Sequence, residues 1–322
     1  MTVQYRDGIE LTLSDGTRVV CDADTPDGDV NIVTHAHGDH YPDGEATAVC
    51  SSLTAEIATA RRDDPLYRTT DDRVELLPAG HVAGSRAALV TDPDGTRYLY
   101  TGDICTRPRF YLDGFEPPSA DVLITEATYG EPGYVFPEHD TLMGDIRTWL
   151  RDTDDPVLLM GYAFGRAQKL QLLANQSDRD RVFTTDAVVR VNEAIEAHLD
   201  VTFDVQRYED ETTLQSGDAL ILPMTSGRIN WIDKLAEDTG AVKAGFSGWA
   251  VDRSFKFRGD YDVTFPLSDH CDFEELLDMV AAVDPDQVYT QHGSAAELAE
   301  HLTDEGYEAT SLRRNQFSLE DF

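Results

Sequence analysis

Apolar and polar positions alternate in short runs over the first third of the chain, then give way to wider helical spacing. Residues 9–13 and 18–21 flank Ser14-Asp15-Gly16-Thr17, which predicts a β-hairpin. A second hairpin is predicted for 86–91 and 97–101 around Asp92-Pro93-Asp94-Gly95, with further strands at 29–34 and 121–125. After Gly130, apolar residues recur every three or four positions at 139–151, 165–175 and 187–198, predicting helices. Strand runs fall at 157–160, 219–223 and 241–246, and 204–217 is acidic and loop-like. The pattern then reads helix 273–283, strand 287–290, helix 295–303 and strand 308–312. No repeat period or low-complexity tract appears. The block 151–244 has a β-α texture of its own and reads as an insertion between a first part, 1–150, and a second part, 245–322, of one α/β core.

Composition changes this picture in one respect. Lys and Arg number 26 against 61 Asp and Glu, a formal net charge of −35. With 41% hydrophobic residues and apolar runs along the whole chain, disorder is excluded. A globally basic nucleic-acid binder is excluded too, though a local basic site is not. Such dense carboxylates predict a halophilic protein, whose self-repulsion is tolerable when the Debye length shrinks to roughly 3 Å at molar salt. Cys21, Cys50, Cys105 and Cys271 show no C-x-x-C spacing and read as buried free thiols. No signal segment and no run of about 18 apolar residues appears, so a cytoplasmic chain without membrane contact is expected.

The strongest chemical signal is Thr34-His35-Ala36-His37-Gly38-Asp39-His40, directly after a strand. Four ligand-type side chains within six residues can converge on a tight loop, and imidazole and carboxylate both bind zinc. They exceed the needs of one tetrahedral ion, which argues for two. Such a mixed His/Asp set accepts manganese as well as zinc. His81 in Gly80-His81-Val82-Ala83-Gly84, Asp103 in Tyr100-Thr101-Gly102-Asp103 and His292 in Gln291-His292-Gly293 are further candidates. Each taken singly would be a surface or capping residue; together they make a set.

His35-x-His37-x-Asp39-His40, His81 and Asp103 resemble the metallo-β-lactamase superfamily, with Asp22 matching its first motif. Downstream, Ile124-Thr125-Glu126-Ala127-Thr128-Tyr129-Gly130 resembles motif A of the β-CASP nucleases, Pro266-Leu267-Ser268-Asp269-His270-Cys271-Asp272 motif B, and Gln291-His292-Gly293 motif C. Gly165-Arg166-Ala167-Gln168 is similar to a helix opening of that family, and Ser247-Gly248-Trp249 followed by Arg253 to a segment of bacterial ligase-associated exonucleases. The resemblance implies an αβ/βα metallo-β-lactamase sandwich with an inserted β-CASP-like cap. A histidine in motif C is similar to the branch holding RNA 3′-end-processing endonucleases, RNase J and ligase-associated exonucleases.

Carried over by position, one zinc would take His35, His37 and His81, the other Asp39, His40 and His292, with Asp103 bridging. The implied activity is cleavage of single-stranded DNA or RNA by attack of activated hydroxide on phosphorus, within DNA-repair or RNA-processing partnerships. His270 would be the general acid, Glu126 would fix its tautomer, and Asp22 would orient the metal loop. Arg86, Arg166, Arg253 and Trp249 are candidate substrate contacts in a cleft between core and insertion, and Tyr129 a further stacking candidate. The alternatives are a small-molecule hydrolase of the same fold and a non-catalytic partner subunit. The charge balance yields the first testable expectation: circular dichroism shows structure lost between ~3 M and ~0.1 M KCl. An unchanged spectrum would remove the salt-adaptation reading.

Overall fold

In the computed structural model, which describes residues 2–224 and 229–313, the first hairpin forms where its alternation requires it. Strands β1 (Thr2–Tyr5), β2 (Ile9–Thr12) and β3 (Arg18–Cys21) pair antiparallel, and β4 (Val30–Ile32), β5 (Ala46–Val49) and β6 (Leu66–Thr69) extend the sheet in parallel. Between β5 and β6 lies helix α1 (Ser52–Arg62), N-capped by Ser51, whose hydroxyl accepts from the Thr54 amide. The short alternating runs of the first third predict no helix over this stretch. Its buried face is Leu53, Thr54, Ala55, Ile57 and Ala58, too small and mixed to stand out as a helical period. Strands β7 (Val74–Pro78), β8 (Arg86–Thr91) and β9 (Arg97–Tyr100) form an antiparallel meander, and β10 (Val122–Glu126) joins β9 in parallel.

A second unit follows. It comprises α2 (His139–Asp152), β11 (Val157–Gly161), α3 (Arg166–Asn175), β12 (Arg181–Thr184), α4 (Asp186–Glu196), β13 (Gln206–Arg207) and β14 (Asp218–Pro223). It continues with α5 (Ile229–Thr239), β15 (Val242–Phe246), a 3-10 turn at Gly248–Val251, α6 (Ser254–Arg258) and β16 (Val263–Phe265). Its six strands are all parallel, in the order β13-β12-β14-β11-β15-β16. Parallel strands need crossovers and are covered on both faces, which is why β11 is a run of five buried residues rather than an alternating one. The chain divides into Met1–Gly133 with His270–Phe322, and Tyr134–Asp269. The bounds expected from sequence, 151 and 244, fall inside the second of these. Helix α2 runs through 151, and β15 and β16, which reach beyond 244, belong to the same sheet as β11.

The chain returns to the first unit through α7 (Phe273–Val283), β17 (Gln287–Gln291), α8 (Ala295–Asp304) and β18 (Ala309–Ser311). Helix α7 opens with a capping box in which Asp272 accepts from the Glu275 amide and Glu275 from the Asp272 amide. The second sheet of this unit is β18-β17-β10-β9-β8-β7. Along β8, Ala88 and Val90 face Ile9, Leu11 and Ile32 of the first sheet, while Ala87 and Leu89 face the opposite way, toward Leu276, Val280 and Leu298 of α7 and α8. Period-two alternation thus builds two apolar layers from one strand, and the first unit is an αβ/βα sandwich. Among the described residues, no helix is long and apolar enough to cross a membrane.

In the second unit, Asp269 is 1% exposed and binds two buried cations. Arg166 reaches it at 3.0 Å, and the Lys169 ammonium contacts its other oxygen. Removing one member of a buried ionic group leaves uncompensated charge. Asp269→Ala should therefore cost about 3–5 kcal/mol of stability in urea unfolding at molar KCl. A loss below about 1 kcal/mol would show that the two cations find other compensation.

Candidate metal centre

In the first unit, chain segments that leave strand ends bring the polar side chains together. Asp22 follows β3 in a left-handed conformation, φ 51°. The His35–His40 loop follows β4, His81 lies between β7 and β8, and Asp103 follows β9. Glu126 ends β10, His270 precedes α7, and His292 follows β17. The loops approach closely because glycine permits it. A side chain at Gly102, φ 55°, would place its Cβ 2.6 Å from the Thr34 hydroxyl.

Asp103 Oδ2 lies 3.4 Å from His35 Nε2 and 3.6 Å from the Nε2 atoms of both His40 and His81. His37 Nδ1 lies 3.0 Å from His35 Nε2 and 3.1 Å from His81 Nε2. One ligand atom from each of His35, His37, His81 and Asp103 falls within 4.8 Å of the others. Asp22, His35 and His40 form a second such group, and Asp103, Glu126 and His270 a third. Imidazole nitrogens and a carboxylate converging in this way are a donor set that fits a divalent ion of the zinc type. Asp39 and His292 lie beside His40 without entering any of these groups. Asp39 Oδ2 is 3.9 Å from His40 Nε2, and the His292 ring centroid is 5.7 Å from that of His40.

Electrostatics prepares the same atoms. Burial pushes the His35 and His81 pKa values down, favouring the neutral imidazole that binds metal. Burial also opposes charge on His40, but the carboxylates of Asp103, Asp22 and Asp39 prevail and raise it to about 10. Asp103 resists its burial because His40, His270 and His35 hold its carboxyl well below the usual range.

Asp22 accepts from the Thr34 amide at 2.8 Å, the Thr34 hydroxyl at 2.6 Å, His40 Nδ1 at 2.9 Å and the Tyr100 hydroxyl at 2.9 Å. Gln291 donates to the Tyr100 oxygen at 3.2 Å, which ties the segment before His292 to this carboxylate. Helix α1 supports the loop from outside, as Arg62 donates to the Gly38 and Tyr41 carbonyls. Arg109, 2% exposed, donates to the Gly80 carbonyl at 2.7 Å beside His81. Glu126 accepts from His270 Nδ1 at 2.8 Å and from the Ile104 amide at 2.8 Å, while the Thr128 hydroxyl donates to its other oxygen. Thr34, Tyr100, Thr128, Gln291, Arg62 and Arg109 were not singled out in the sequence. Four of them lie inside or next to the quoted motifs, and their adjacency was the available signal.

The expected substrate contacts fall in both units. Arg86 is half-buried in the first unit and donates to the Ser85 carbonyl at 2.8 Å. Arg166 is buried in the second unit on Asp269 and donates to the Phe246 carbonyl at 3.3 Å. Arg253 is exposed, and Trp249 is half-buried with its ring edge-on to Tyr134. Tyr129, 2% exposed, packs in the first unit with its ring centroid 6.0 Å from that of His270.

Residues 263–311 match the family described as Zn-dependent metallo-hydrolase RNA specificity domain. Over 306 residues, 90% of its length, the chain is 33% identical to a protein of Opitutus terrae named probable DNA ligase, of which it covers 29%. An RNase J-like protein of Methanocaldococcus jannaschii is 25% identical over 204 residues, covering 52% of this chain and 48% of that protein. DNA cross-link repair protein SNM1 of Arabidopsis thaliana is 24% identical over 299 residues, covering 80% and 59%. These matches support a place for the chain in the metallo-β-lactamase superfamily, in its β-CASP family. It spans between 29% and 59% of the length of these three relatives. A protein of unknown function from Enterococcus faecalis V583 shares the fold, with a TM-score of 0.66 over 98% of both chains at 14% identity.

In this metallo-β-lactamase sandwich the candidate ligands come from at least four different strand ends, so their aim depends on the groups behind them. Asp22→Asn should lower metal affinity about 10–100-fold, read by competition with a chromogenic chelator at unchanged fold. Affinity equal to that of the unaltered chain would show that Thr34 and His40 hold their places without the carboxylate.

Proposed function

We propose that the chain is a dinuclear metal-dependent phosphodiesterase acting on single-stranded nucleic acid. The observation that carries this reading is the position of Asp103 Oδ2, within 3.6 Å of three imidazole nitrogens, beside a His270 held by Glu126. His35, His37 and His81 would hold one ion, Asp39, His40 and His292 the other, and Asp103 would serve both. Zinc is the natural occupant, with manganese compatible with the same donors. Such ions, when bound, draw charge from phosphoryl oxygens and make water nucleophilic at neutral pH.

The remaining work falls to the protein. Glu126 accepts from His270 Nδ1, which fixes the ring and balances its imidazolium form, in which Nε2 carries the transferable proton. His270 Nε2 then protonates the departing oxygen of the cleaved strand. Thr128 and the Ile104 amide occupy the Glu126 oxygens from the other side, so the carboxylate stays aimed. The relatives include a probable DNA ligase and an RNase J-like protein, and both DNA and RNA strands are kept as substrates. Four free, buried cysteines support a reducing, cytoplasmic setting, and the net charge of −35 supports working conditions of high salt.

End-labelled single-stranded DNA and RNA are to be incubated with metal-loaded protein in molar KCl, with His37→Ala as control. The unaltered chain should degrade at least one of them, and His37→Ala should not. His270→Ala should keep its metal content while turnover falls about 10²–10⁴-fold. Full activity in His270→Ala removes the general-acid role. Failure to cleave either strand with metals bound removes the nuclease reading.

A further inference from the structure

The second unit holds a hollow of about 520 Å³, within the roughly 300–1,000 Å³ typical of small-ligand sites. Two aromatic pairs line it. Tyr134 meets Trp249 edge-on with ring centroids 4.9 Å apart, and Phe255 stacks on Tyr261 at 5.5 Å. All four are half-buried, unlike the fully buried rings of the neighbouring core such as Phe246. Arg258 and Asp252 are the charged residues of its lining.

The segment that builds one wall is unusual for this chain. Residues 253–258 read Arg-Ser-Phe-Lys-Phe-Arg, so three of only 26 basic residues fall within six positions. Phe257 is 79% exposed, more than any other exposed large hydrophobic residue described. Among the described residues, Arg253 and Lys256 form no ion pair, and Arg258 makes a single exposed contact of 3.8 Å with Asp252. The exposed Phe257 ring offers apolar surface, and bases without a close ion pair leave their charge available, a combination that suits an anion with flat apolar parts.

We propose that the hollow between Tyr134, Trp249, Phe255 and Tyr261 receives an unstacked nucleobase of a single strand, while the bases of 253–258 meet the adjoining phosphates. The proposal rests on the nucleic-acid reading above. Every base has a π-face, so the site discriminates single from paired strands rather than sequence. Stacking also survives where phosphate contacts fade. Counterion release loses its driving force as salt rises, whereas burial of a base against a ring does not. A chain of net charge −35 thus gains most from a site whose affinity comes from rings.

The test uses the full chain, a non-cleavable oligothymidylate and an abasic strand with the same number of phosphates, read by fluorescence anisotropy in molar KCl. The unaltered protein should bind the abasic strand about tenfold more weakly. Trp249→Ala should lose the same factor for oligothymidylate and nothing for the abasic strand, and Trp249→Phe should recover most of it. Arg258→Glu, a surface change that leaves the fold intact, should weaken both strands alike. If Trp249→Ala, Phe255→Ala and Arg258→Glu all bind and discriminate as the unaltered chain does, the hollow is not a base site, even where cleavage is observed. Binding with this pattern but without cleavage removes the nuclease reading and keeps the hollow. No binding of either strand removes both.

Discussion

A carboxylate taken out of water must be met by donors, and at Asp22 four donations come from three residues, two in the histidine loop and one at the end of β9. The cost of leaving such a charge unmet is what gives the arrangement its rigidity. Thr34 is drawn in by both amide and hydroxyl, so the chain turns into the histidine loop at a fixed angle. His40 is held by Nδ1, which leaves Nε2 facing Asp103. Tyr100 brings the end of β9 to the same point, and Gln291 adds the end of β17. The metal-binding atoms therefore inherit their positions from a residue that need not touch a metal.

The second unit solves a different problem. The centre of its parallel sheet is apolar, and Leu158, Met160, Leu220 and Leu222 pack with Ile232 of α5 in one core. The unit also buries an ionic group in which Asp269 balances Arg166 and Lys169. Arg166 sits in a motif that the sequence pointed to as a phosphate contact. Its guanidinium is committed inside the unit instead, to Asp269, to the Phe246 carbonyl and over the Tyr162 ring at 5.1 Å. Positive charge available to a ligand is found on α6, where side chains are exposed.

Much of the first unit was legible from its short apolar runs, because β2 and β3, and β8 and β9, are joined by turns that carry Gly and Asp. Helix α1 was not, since Ala and Thr blur its period and its role becomes visible only when Arg62 is seen to hold the histidine loop. The ligand types were readable because chemistry restricts them to His and Asp, and spacing placed four within one loop. Their grouping was not readable. His35, His40 and His81 meet on Asp103 through a pairing of strand ends distant in sequence, and Asp39 and His292 stand at the edge of that group. The limits of the insertion were misplaced for a related reason. Sheet membership of β15 and β16 depends on parallel neighbours far along the chain, which local pattern cannot report.

The first unit is discontinuous in sequence, and this has a temporal consequence. His35 through Glu126 are synthesised before residues 134–269, and His270 and His292 only after them. At roughly 5–20 residues per second, His270 and His292 emerge about 10–50 seconds behind His35. Through that interval a nascent chain presents the metal-binding loop without α7, β17 or α8, so the second sheet lacks two strands and one apolar face lies open. The intervening unit has its own core and can fold in that time, holding the two parts apart until the second arrives. A chain interrupted anywhere before His270 leaves the ribosome without the two histidines that its second part brings to the candidate site.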